Sequence, residues 1–141
     1  CAGISSRRAT PDNDFHTSGK AGLDMKISEI RDLLEADVLC CGELADKEVY
    51  SACGSDMMSD VLAYVKDQAV LLTGLVNSQV IRTAEMMDMI CIVFVRSKAP
   101  TEEMLALARE SGIVILATGM RMYEACGKLY ANGLRGNGGK A

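Results

Sequence analysis

The sequence predicts an α/β protein, a three-layer α/β/α sandwich around a mainly parallel sheet. Strand and helix signals alternate from about residue 25 to residue 134, the order that lays helices over parallel strands through right-handed crossovers. Runs 69–73, 90–95 and 113–117 are almost wholly apolar, as strands covered on both faces are. Glycine, proline or a capping residue punctuates each step from strand to helix-period stretch.

The first helix is expected to be capped by Ser28 and to carry Ile30, Leu33 and Leu34 on one face. A strand over 37–41 follows, then a turn over 42–46. Residues 47–53 alternate polar and apolar positions, the pattern of one half-buried strand. Ser55 or Asp56 then caps a helix burying Met58, Val61, Leu62 and Val65. The apolar run 69–73 ends at Gly74, and Asn77 caps a helix with Val80, Ile81, Ala84 and Met87 facing inward.

Beyond the second apolar run, Pro100 and Thr101 open a helix. Glu102 and Glu103 suit the positive end of its dipole, and Met104, Leu105 and Ala108 form its inner face. Gly112 supplies the stop. After the third run, a last helix is expected over 120–132, closed by Gly133. The polar, glycine-containing residues 1–24 read as a disordered leader or non-native extension and residues 135–141 as a flexible tail. That leaves one domain over 25–134. Met25 suits a native start. An amino-terminal Cys1 also fits a processed lipoprotein, a reading ranked below the leader.

Composition removes several functions. A net charge of −4 at pH 7 with no basic stripe argues against nucleic acid. No Trp and only two Phe leave little for base stacking. No apolar run approaches the roughly 20 residues that cross a bilayer. The six cysteines, at 1, 40, 41, 53, 91 and 126, contain no C-x-x-C and suit a reducing cytosol. A cytoplasmic location is therefore expected.

The sole histidine, His16, lies in the leader. The domain thus lacks the commonest general acid and base and the Ser-His and Cys-His catalytic sets. Gly139-Lys140 has no earlier glycine at 134 and no Ser or Thr after it, so it makes no phosphate loop. Neither a catalytic set nor a metal or cofactor site is expected. Cys40 and Cys41 are adjacent, and in an extended strand their side chains point to opposite faces. An iron–sulfur cluster needs several convergent thiolates, with Cys53 the only further candidate. A cysteine-based redox protein is the third-ranked reading.

Ligands of open parallel sheets bind beyond the carboxyl ends of the strands. Here those ends offer Thr73, Gly74, Asn77, Arg96, Ser97, Lys98 and Thr118 as candidate ligand-binding residues. Their hydroxyls, amides and cations, beside helix N-termini, suit a nucleotide or phosphate. Ordinary turn and cap chemistry is the competing account.

Segments 49–63 (VYSACGSDMMSDVLA), 71–86 (LLTGLVNSQVIRTAEM) and 122–130 (MYEACGKLY) resemble small stand-alone DRTGG-domain proteins. The resemblance covers 25–134 and implies a DRTGG-like α/β fold. Related domains occur in phosphotransacetylases, beside CBS domains in some pyrophosphatases, and in proteins similar to the N-terminal part of HPr kinase. There the domain is regulatory or dimer-forming. Stand-alone members are often encoded near iron-only hydrogenase components of anaerobic bacteria. The resemblance therefore implies a non-catalytic regulatory or interaction module, homodimeric, with a partner in hydrogenase or redox metabolism. The chain departs from the naming motifs. Leu75-Val76-Asn77 stands where relatives show Gly-Asp-Arg, and Val95-Arg96-Ser97 where they show Thr-Gly-Gly, with Pro100 kept. Any ligand held by those motifs cannot be carried over.

Overall fold

A computed structural model describes residues 25–64 and 68–134. The expected leader and tail, His16, and Val65 with its expected burial lie outside the described residues. Thirteen elements follow in order: β1 (Met25–Lys26), α1 (Ile27–Leu34), β2 (Asp37–Cys40), a 3-10 turn (Gly42–Leu44), β3 (Glu48–Val49), β4 (Ser51–Gly54), α2 (Met58–Tyr64), β5 (Ala69–Thr73), α3 (Ser78–Met86), β6 (Cys91–Phe94), α4 (Glu102–Ser111), β7 (Val114–Ala117) and α5 (Met122–Ala131).

A five-stranded sheet in the order β2-β7-β6-β5-β4 forms the middle layer. β4, β5, β6 and β7 run parallel, and β2 closes one edge antiparallel to β7. The fold class expected from the sequence is the one observed, and β2 and β4, from the earlier part of the chain, form the two edges of the sheet.

Alternation along each strand splits the core in two. Val70, Leu72, Val93 and Leu116 pack against Ile27, Ile30 and Leu34 of α1 and Ala125 and Leu129 of α5. Leu71, Ile92, Phe94 and Ile115 face Val61 of α2, Val80, Ile81 and Ala84 of α3, and Met104 and Ala108 of α4. Every residue of β5 and β6 is buried, which is why both read as unbroken apolar runs. Phe94 is the largest fully buried side chain.

Caps set the helix ends. Asn77 Oδ1 accepts the Gln79 N–H at 2.9 Å, and Thr101 Oγ1 accepts the Met104 N–H at 3.2 Å. Gly112 ends α4 at φ 71°, a left-handed cap that costs glycine nothing. The cap of α1 lies two residues before the expected one. Lys26 stands at its N-cap and donates its N–H to Glu29 Oε1 at 2.8 Å, leaving Ser28 inside the first turn.

Three further details differ from the sequence reading. Residues 47–53 form two strands rather than one. Glu48–Val49 pairs antiparallel with Met25–Lys26, whereas Ser51–Gly54 joins the main sheet beside β5. Side-chain alternation runs through Tyr50 without a break, so periodicity could not show that the pairing partner changes. Leu62 is 45% exposed, because it lies off the face of α2 that turns Met58 and Val61 inward. Cys40 and Cys41 do not point to opposite faces. Cys41 leaves the strand in the left-handed region (φ 62°, ψ 37°), and its Sγ lies 3.3 Å from that of Cys40.

Candidate functional site

The four parallel strands end at Gly54, Thr73, Phe94 and Ala117, and the turns beyond them form one rim. Asp56, expected as a helix cap, instead reaches from the turn after β4 to the end of β5. Its Oδ1 accepts the Thr73 hydroxyl at 3.0 Å and the Gly74 N–H at 2.7 Å, while Thr73 Oγ1 accepts the Leu75 N–H at 3.1 Å. A buried hydroxyl and amide are thereby satisfied within the protein.

The turn after β6 is unusual. Arg96 and Ser97 both lie in the left-handed region, at φ 60° and 58°, a conformation costing a residue with a Cβ about 1–2 kcal/mol. Two bonds to the turn after β7 hold it: the Arg96 N–H donates to the Met120 carbonyl at 2.7 Å, and the Ser97 N–H to the Thr118 carbonyl at 2.9 Å. These are the two positions where the DRTGG pattern would place glycines. The backbone suits glycine, and this chain puts a guanidinium and a hydroxyl there instead.

Arg96 lies back over the end of β5. A Cβ on Gly74 would run into its guanidinium, so that glycine is the flat surface against which the arginine rests. Thr118 is buried, donates its hydroxyl to the Leu34 carbonyl at 2.7 Å and accepts the Met120 N–H at 3.2 Å. Gly119 follows, with room for a Cβ only 3.3 Å from Ser97 Oγ.

Arg96, Ser97, Gly119, Arg121, Met122 and Tyr123 line one open groove of about 500 Å³. Arg121 is the N-cap residue of α5 and offers its first turn no side-chain acceptor. The groove therefore combines two guanidinium groups, a hydroxyl and the positive end of a ten-residue helix. Among the described residues the ion pair is Arg31–Asp32, so no carboxylate among them pairs with either groove arginine.

Of the seven residues singled out from the sequence, Arg96 and Ser97 line the groove. Thr73, Gly74 and Thr118 lie beneath or beside it, the two hydroxyls bonded internally. Asn77 caps α3, and Lys98 is exposed outside the lining. Gly119, Arg121, Met122 and Tyr123 were missed. The signal for Arg121 was a cation at a helix start just after Thr118-Gly119, with no Ser, Thr, Asp or Asn to cap it.

Nothing at the rim suggests a nucleophile or a metal. Among the described residues no cluster of three or more His, Cys, Asp or Glu could hold a metal ion. Burial pushes the Cys91 and Cys126 thiols above the usual range, and does the same for Cys53, aided there by Cys126 and Asp60. Such thiols stay protonated at neutral pH and react slowly there. No helix among the described residues is long and apolar enough to cross a membrane.

The regulatory region of Clostridium perfringens pyrophosphatase, its CBS and DRTGG domains crystallised with the activator diadenosine tetraphosphate, has a similar structure. The TM-score is 0.62 at 14% identity, over 80% of this chain and 48% of that one. The fold is DRTGG-like. The chain spans about half the length of that neighbour, and at this identity the likeness concerns the fold alone. No family model and no curated protein matches the sequence.

Proposed function

We propose that this DRTGG-like domain is a non-catalytic regulatory module that responds to a nucleotide or other polyphosphate bound in the Arg96–Arg121 groove. One observation carries the reading: two arginines without carboxylate partners among the described residues converge with an uncapped helix N-terminus on one groove. A polyphosphate offers the bidentate oxygens that guanidinium groups recognise. Tyr123, 92% exposed in the first turn of α5, supports a nucleotide by offering an open aromatic face for a base. The pyrophosphatase neighbour supports the class, being a regulatory region crystallised with a nucleotide activator. The absence of histidine from 25–134 supports the lack of catalysis.

Calorimetric titration with pyrophosphate, ATP and diadenosine tetraphosphate tests the reading. At least one should bind the wild type, and an Arg96→Ala, Arg121→Ala double variant should lose it. No binding by any of the three, or undiminished binding by the variant, overturns the proposal.

The resemblance adds a homodimer and a redox-enzyme partner in anaerobic metabolism, within a cytoplasmic setting. Light scattering at low micromolar concentration tests the dimer, and a strictly monomeric species removes it. A pull-down from the native host tests the partner, and recovery without any hydrogenase component removes that link.

A further inference from the structure

The strand β2 ends in two thiols held together at the opposite end of the sheet from the groove. Cys40 pairs with Ile115 across a bulge, and Cys41 turns left-handed into the 3-10 turn. That reversal brings the sulfurs to 3.3 Å. Both thiols face the same helix: Cys40 Sγ lies 3.8 Å from the Leu105 carbonyl of α4 and Cys41 Sγ 3.9 Å from the Ala108 carbonyl. Cys40 is buried and Cys41 half-buried. Burial alone would explain one thiol as core filling. It does not explain a second, adjacent thiol in a conformation disfavoured for any residue with a Cβ and set against the first.

We infer that Cys40 and Cys41 form a reversible dithiol–disulfide site that exchanges with low-molecular-weight disulfides. Cys41, the more accessible of the two, loses its proton and attacks one sulfur of a disulfide R–S–S–R. That S–S bond breaks, and RS⁻ leaves and takes up the proton. The Cys40 thiol then loses its proton, attacks Cys41 Sγ and expels the second R–S⁻, which is protonated in turn. Two protein thiols are oxidised by two electrons, and one small disulfide is reduced to two thiols.

Proximity drives the second step, because the resolving thiol is already in contact with the sulfur it attacks. The product should be easily reversed. Adjacent Cα atoms are only about 3.8 Å apart, below the about 4.4–6.8 Å usual for disulfides, and strained disulfides are the labile ones. The first step is slow at neutral pH. Burial, then the neighbouring Cys40 thiol and Glu43, push Cys41 up to about 12 against the opposing pull of Arg109. The exchange rate should therefore rise about tenfold per pH unit between neutrality and pH 10, following the thiolate fraction.

Mass spectrometry of the full chain after incubation with oxidised glutathione decides the matter. The peptide holding both residues should lose two hydrogens, carry no lasting glutathione and return to its original mass with dithiothreitol. A Cys40→Ser variant should instead accumulate a glutathione adduct on Cys41. A lasting adduct in the wild type, or a pair no more reactive than the buried Cys91, overturns the inference. Polyphosphate binding is read separately, so failure here leaves the groove reading untouched.

Discussion

The two ends of the central sheet carry grooves of nearly equal size and opposite character. At the carboxyl end, about 500 Å³ is lined by Arg96, Arg121 and the start of α5. At the amino end, about 520 Å³ is lined by Glu48, Glu85 and Asp88 with Lys47 as the counterweight. Volume does not distinguish them; charge and backbone direction do. Parallel strands feed helices whose N-termini gather at the carboxyl rim, so free amides and positive dipole ends accumulate there and carbonyl ends gather at the other. A chain that is acidic overall, at −4, still sets two arginines, Arg96 and Arg121, where the backbone already favours an anion.

Reversing the charge of the basic rim should break the contrast most sharply. An Arg96→Glu, Arg121→Glu variant removes two charge-assisted contacts worth about 1.5–3 kcal/mol each. Pyrophosphate affinity in calorimetry should fall at least about a hundredfold. Retained affinity would mean that the rim does not bind the anion.

Gly74→Ala is next. It displaces the Arg96 guanidinium and should weaken binding about tenfold, with overpacking costing about 1–3 kcal/mol in urea unfolding. Wild-type affinity would show that the guanidinium does not need its resting place.

Asp56→Ala isolates the scaffold from the charges. The Thr73 hydroxyl and the Gly74 amide lose their acceptor, which should cost about 1–3 kcal/mol of stability. Binding should drop only so far as Gly74 moves.

The smallest effect is expected at the acidic end. Glu85→Gln with Asp88→Asn should change pyrophosphate affinity less than about twofold, because a charge a sheet-length away is screened beyond a Debye length. A larger gain would merge the two ends into one field.

The central strands were legible because β5 and β6 are covered on both faces, so that their burial appears directly as apolar runs. The ribbon of β1 and β3 was not, since two residues per strand are too few to show a period. At the rim, Arg96 and Ser97 could be read from their position after a buried strand. Arg121 and Tyr123 looked like the interior of a helix expected to begin at 120. The helix begins two residues later, and that shift turns Arg121 into a cap residue facing the groove. Cys41 gave no sign of its left-handed turn, because the signals for that conformation are glycine and asparagine.

The turn at Arg96 and Ser97 sets backbone ease against side-chain chemistry. Both residues occupy backbone wells that glycine enters without steric penalty, and bonds to the neighbouring turn hold the loop whatever side chains it bears. A laboratory selection for thermal resistance alone should thus drift toward glycine at these two sites, and on the proposed reading its winners would be sturdier proteins with weakened polyphosphate binding.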